Sequence, residues 1–208
     1  MALNRPFGVA LFTHNQTAPT NFRSSMYRIP STDGNAYYMN DTVKQVAGSD
    51  ANGVPNVVKA AGTDRLRGTI VGILNPAPNM ASIQGTVLDR TIVSIPATKT
   101  RDYYVMVCDD RDAWFMIQDD GITTANLVAA SANLNCNLTI AAPSAAYQES
   151  ATVILSSSIA TTNTFSFKLR GLAQIPAIAG GGSNAYGAYA IWVARINTHE
   201  FDGSIVGV

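Results

Sequence analysis

From Asn133 to Ile140 polar and apolar residues alternate without a break: Leu134, Cys136, Leu138 and Ile140 on one side, Asn133, Asn135, Asn137 and Thr139 on the other. A period of two belongs to an extended strand whose side chains point alternately to a core and to water. The stretch Thr164 to Leu172 repeats the pattern, with Phe165, Phe167 and Leu169 predicted inward and Thr164, Ser166, Lys168 and Arg170 outward. Composition argues against helices as the alternative. Exposed helical faces are normally built from Glu and Lys, and only two glutamates (Glu149, Glu200) and four lysines (Lys44, Lys59, Lys99, Lys168) occur in 208 residues.

Four further segments are apolar on both faces, Gly68 to Leu74, Tyr103 to Cys108, Ala113 to Ile117 and Ala188 to Ile196. They are predicted to be central strands covered on both sides. Turn-forming clusters separate them, at Asn75 to Pro78, Ile95-Pro96, Ala142-Pro143 and Gly180 to Asn184. Asp102 to Gly121 reads as a hairpin whose acidic tip is Asp109, Asp110 and Asp112. Asp119 and Asp120 then fall at its far end, about 20 Å away at strand rise. Many short strands with turns between them predict a mostly β chain, folded as a single β-barrel or jelly-roll-like domain over residues 31–208.

Residues 1–30 differ. Pro, Asn, Thr and Ser break any period, yet Phe7, Phe12, Phe22, Met26 and Tyr27 are scattered through them, and their only charges are Arg5, Arg23 and Arg28. The segment is predicted to be an extended N-terminal arm. Ordering it costs about 1 to 2 kcal/mol per residue in backbone entropy, so its aromatics must bury against the domain or a partner.

Charge and motif content narrow the function. Fourteen Lys and Arg balance fourteen Asp and Glu, which leaves no general cationic field for nucleic acid or an anionic membrane. The apolar runs are too short to span a bilayer, and MALNRPFGVALF lacks the plan of a signal peptide, so synthesis in a cytosol is expected. His14, His199, Cys108 and Cys136 have no paired metal-ligand spacing. Both thiols sit in apolar or alternating stretches and are expected to be buried and unbridged. No nucleophile elbow, phosphate loop or dinucleotide fingerprint occurs. The aspartates at 109–112 lack the central Gly and closing Glu of a calcium loop. No metal, cofactor or catalytic residue is expected. Trp114 and Trp192 read as core or interface residues.

The runs Met26 to Pro30 (MYRIP), Ala36 to Lys44 (AYYMNDTVK), Gly53 to Val57 (GVPNV) and Leu66 to Leu74 (LRGTIVGIL) resemble the start of small head proteins of tailed bacteriophages. Tyr103 to Val105, Asp109 to Asp119, Phe167 to Leu172 and Trp192 to His199 continue the likeness over most of the chain. The resemblance implies a non-enzymatic virion protein, made in the host cytoplasm and carried on the outer capsid surface. There it would decorate and cement the head by bridging adjacent major capsid subunits, and associate into dimers or trimers. On that reading the arm residues Arg5, Phe7, Phe12, Phe22, Arg23, Met26 and Tyr27 grip the capsid, and Arg5, Arg23 and Arg28 meet acidic capsid groups. Removing residues 1–25 should then leave a folded domain that no longer coats heads. The alternative is a carbohydrate-binding, lectin-like jelly roll of a phage fibre or tail, using Trp114 or Trp192 with the Asp109 to Asp112 tip. A hydrolase built on Cys108 and a histidine is a third and weaker reading.

Overall fold

The computed structural model describes residues 4–14, 23–75, 87–88, 93–122, 127–141, 148–175 and 184–202. Within them the chain is mostly β, in several sheets that are antiparallel but for one pair of strands. The strands are β1 (Ala10–His14), β2 (Ser24–Ile29), β3 (Tyr37–Tyr38), β4 (Thr42–Ser49), β5 (Pro55–Lys59), β6 (Gly68–Asn75), β7 (Val87–Leu88), β8 (Ser94–Ile95), β9 (Tyr103–Cys108) and β10 (Ala113–Gln118). They continue with β11 (Asn135–Cys136), β12 (Leu138–Thr139), β13 (Val153–Ile154), β14 (Phe167–Leu172) and β15 (Ile191–Ile196).

One sheet runs β4-β5-β2-β9-β6-β7, and β4 also pairs with β6, which closes five of its strands into a small barrel. Val43, Val57, Ile70, Ile73, Val105 and Val107 fill the inside together with Tyr27 and Ile29, all at most 2% exposed. Tyr37 and Ile95, from the two-stranded ribbon β3–β8, join this cluster. The other face of β9 carries Tyr104 and Met106, packed with Met26, Val54 and Leu74. That second layer explains why Tyr103 to Cys108 is apolar on both faces.

The second sheet, β1-β10-β15-β14-β11, is antiparallel throughout. Its inner face presents Phe115, Ile117, Trp192, Ala194, Ile196, Phe167 and Leu169 to a core that also takes in Val9, Leu66, Cys108, Cys136 and Ile154. Phe115 and Phe167 meet edge to face at 6.2 Å. Leu66 leads into a barrel strand and Cys108 ends one, so this core is continuous with the barrel end. Both thiols are free and buried, and burial pushes Cys108 up to about 12, which keeps it protonated and unreactive.

Several expectations are corrected. Asp102 to Gly121 is no hairpin: β9 pairs within the barrel and β10 within the open sheet. The chain turns a corner at residues 109–112 because Cys108 and Ala113 both bury into the core shared by the two sheets. Ala113 to Ile117 and Ala188 to Ile196 are fully covered on one face and only in part on the other, where Val193 is buried, Trp114 and Met116 are half-buried and Arg195 is exposed. The alternating run from Asn133 splits at Asn137 into β11 and β12, which join different sheets; Cys136 and Leu138 still point into one core.

The largest correction concerns residues 1–30, whose described part is not an arm. Val9 is fully buried, β1 pairs with β10, and β2 pairs with β9 over its whole length, from Ser24 opposite Cys108 to Ile29 opposite Tyr103. The reason is physical: Tyr27 and Ile29 supply apolar volume that the barrel interior lacks without them. No domain boundary therefore falls at residue 30. Residues 76–78, 142–143 and 180–183 of the expected turns lie outside the described residues.

Two outcomes follow for stability. Deleting residues 1–25 removes β1, Val9 and the start of β2, so the product should lose the cooperative thermal transition of the full chain in circular dichroism; an unchanged melt would refute the strand assignment. A Cβ on Gly68 would run into the carbonyl of Cys108 on the neighbouring strand. Gly68→Ala should therefore destabilise by about 1 to 3 kcal/mol, the usual range for overpacking, read as a lowered denaturation midpoint.

Candidate functional site

Most of the sequence-predicted contact residues are already engaged within the chain. Arg5 donates its backbone N–H to Gln118 Oε1 at 3.2 Å, and its guanidinium lies 3.8 Å from Glu149. Phe7 is half-buried and its carbonyl accepts from Asn40 Nδ2. Met26 packs in the outer layer of the barrel and Tyr27 inside it. Arg28 is bound to Asp102 at 2.7 Å and donates to Asn56 and Ser49. Phe12 alone of the predicted aromatics stands out, 43% exposed at a bulge in β1. Phe22 lies outside the described residues.

Arg23 and Tyr27 come together at the corner between the sheets. Tyr27 donates its hydroxyl to Asp109 Oδ2 at 2.8 Å and accepts from Arg67 Nε at 2.7 Å. Arg67 lies 3.8 Å from the centroid of the Phe201 ring and 3.8 Å from Glu200. Arg23 reaches Asp109 at 3.6 Å. Asp109, 1% exposed, is therefore a buried carboxylate, one oxygen bonded to a phenol and the other left without a hydrogen bond beside the Arg23 cation, not the solvated tip of a turn. Burial pushes Tyr27 up to about 12. His199 stacks on Phe201 at 5.3 Å, and its Nδ1 accepts the Phe201 N–H at 3.0 Å. That bond places the ring proton on Nε2, which has no partner.

A second buried cluster sits beside the β3–β8 ribbon and gave no sequence signal. Ser150 donates to Asp41 at 2.6 Å, Lys59 pairs with Asp41 at 2.8 Å, and Tyr37 donates to Asp33. Lys99 donates to the carbonyls of Asp33 and Asn35, both at 2.6 Å. These residue types could serve nucleophilic chemistry elsewhere. Here Ser150 is fully buried and its hydroxyl proton is committed to a carboxylate, so the cluster fastens loops.

The outer face of the five-stranded sheet is different. The β10–β15 register, Phe115 opposite Ala194, sets Trp114 beside Arg195, and Arg195 lies directly opposite Lys168 on β14. Arg170 projects from a bulge in β14, and the guanidiniums of Arg170 and Arg195 lie 5.3 and 6.0 Å from the Trp114 ring centroid. Beside this row runs an open groove of about 430 Å³, from Phe12 across Val193 to Arg170, Gly171 and Leu172, with Tyr186 on its wall. Phe12 and Tyr186 are 43% and 50% exposed. Sequence pattern identified Lys168 and Arg170 as outward residues. It could not show that Trp114 and Arg195 share their row, because that depends on pairing between distant strands. Trp192, by contrast, is wholly buried.

Among the described residues no three His, Cys, Asp or Glu side chains converge as metal ligands. Compared with known protein families, curated proteins and solved structures, the chain matches none.

Burial lowers His199 to about 4, with Asp202 opposing the shift and Arg67 reinforcing it. The unfolded ring titrates near 6.5, so between the two values the unfolded chain holds the extra proton. This stability is complete above about pH 6.5 and is lost as pH falls toward 4, by about 3 kcal/mol in all. Glu200 and Asp119, whose carboxyls burial raises, act in the opposite sense at the acid end. Urea denaturation of the wild type should weaken between pH 6.5 and 5, and His199→Gln should flatten that slope; an equal slope in both would refute the assignment.

Proposed function

We propose that this chain is a non-catalytic structural protein of tailed-bacteriophage heads, one that decorates the outer capsid surface and cements adjacent major capsid subunits. The observation that carries the reading is the outer face of the five-stranded sheet, where a half-buried tryptophan, three cations and an aromatic-walled groove stand together. Such a composition, with Trp, Tyr and Arg concentrated on one face, is that of a protein-binding surface. The likeness of Met26–Pro30, Leu66–Leu74 and Asp109–Asp119 to small phage head proteins supports the same reading. A rigid barrel joined to an open sheet through a shared core suits a protein that transmits load between neighbours and turns over no substrate.

The mode of attachment differs from an arm that wraps a neighbour. With β1 and β2 built into the sheets, Arg5, Arg23 and Arg28 spend their charge on Glu149, Asp109 and Asp102. Adhesion is assigned to a folded surface, and self-association into dimers or trimers would multiply individually weak contacts. The lectin-like alternative loses one of its two platforms, because Trp192 lies in the core.

Heads lacking this protein, mixed with the purified chain and re-isolated, should carry it at a fixed ratio to the major capsid subunit and should withstand heating better than bare heads. Absence of the chain from the re-isolated particles, or a glycan-array signal abolished by Trp114→Ala, would overturn the proposal.

A further inference from the structure

The cation row on the outer sheet face is arranged against its own electrostatics. Lys168 and Arg195 are direct cross-strand neighbours, a placement that repels within one protein. Arg170 adds a third positive charge, and its guanidinium and that of Arg195 both lie near the Trp114 ring. Among the described residues none of the three has a carboxylate within ion-pair distance; Asp112 and Asp202 share a small cleft with Arg195, and Asp202 is taken by Arg111. The corner, by contrast, pairs its cations at every turn. Next to the row, Phe12 and Tyr186 wall a groove large enough for an apolar side chain.

We propose that this face docks an acidic protein segment of a head subunit, with one apolar side chain seated between Phe12 and Tyr186 and flanking carboxylates on Arg170, Arg195 and Lys168. The inference rests on the head-decoration reading and specifies its contact. Two guanidiniums held near one indole keep their in-plane N–H donors available for carboxylates, the geometry in which arginine binds them in pairs. Chain neutrality does not oppose this, since the remaining charges lie elsewhere and the field of a partner is read locally within a Debye length.

Heads lacking the protein are mixed with wild type, with an Arg170→Glu/Arg195→Glu double variant, with the neutral Arg170→Gln/Arg195→Gln variant, and with Arg65→Glu. Arg65 is an exposed cation outside the face. Bound chain is quantified at low and high salt, and thermal melts verify that each variant is folded. Reversal should weaken binding about tenfold or more, neutralisation should weaken it less, Arg65→Glu should leave it unchanged, and salt should weaken the wild type most. Equal binding of wild type and the reversed variant refutes the face while the decoration reading stands. Failure of wild type to bind heads refutes both. A short DNA duplex that binds wild type and loses the reversed variant would assign the face to nucleic acid instead. Dimers in sedimentation that reversal dissociates would assign it to a second copy of the chain, and either result overturns the proposal.

Discussion

A carboxylate cannot be buried alone, and the corner at Asp109 is where this chain meets that constraint. Asp109 lies between the barrel strand β9 and the open-sheet strand β10, at 1% exposure. It is kept there by a phenol from β2 and by Arg23, while Arg67 donates to the same phenol. Removing any partner would leave charge uncompensated in a low-dielectric site, which is far more destabilising than the net contribution of the intact cluster. The corner therefore ties an N-terminal strand, the turn between the sheets and the segment 199–202 to a single geometry. That geometry decides which way β10 leaves the barrel, and so where the outer face of the five-stranded sheet points.

The consequence is a division between polar groups that hold and polar groups that remain open. Asp41, Ser150, Lys59, Lys99, Asp109 and Arg67 are buried or half-buried and have internal partners. Arg170 and Arg195 are exposed, Trp114 and Lys168 half-buried, and among the described residues none of the three cations has a carboxylate within ion-pair distance. Buried polar clusters of this density rigidify a small β core, and a rigid sheet presents surface residues at fixed spacing. Binding by such a face loses little conformational entropy on association, which favours adhesion by a preformed surface over capture by an arm.

Much of the strand content was legible beforehand. Alternation at Asn133–Ile140 and Thr164–Leu172, and the scarcity of Glu and Lys, are local properties that depend on the pleat alone, and the inward set Phe167, Leu169, Cys136 and Leu138 is buried as they imply. The segment 1–30 conceals its strands for an equally local reason: Pro and Asn hide the period, and nothing within thirty residues tells Tyr27 and Ile29 that their partners are Val105 and Tyr103. The hairpin at 102–121 failed likewise. Two apolar runs around an acidic turn look alike whether they pair with each other or with strands from opposite ends of the chain.

Period and residue type, then, were enough to dictate strands, buried thiols and part of the inward set, since these follow from side-chain chemistry on an extended backbone, whereas Asn135, Asn137 and Ser166, expected outward, are buried. Which strands pair, that five of them close into a barrel, and that Trp114, Arg195 and Lys168 form one row were settled by folding alone. Those relations join residues as much as 106 positions apart, from Ala10 on β1 to Met116 on β10, and no local preference can encode them. They emerge only when burying the apolar faces of distant segments selects one register over the others.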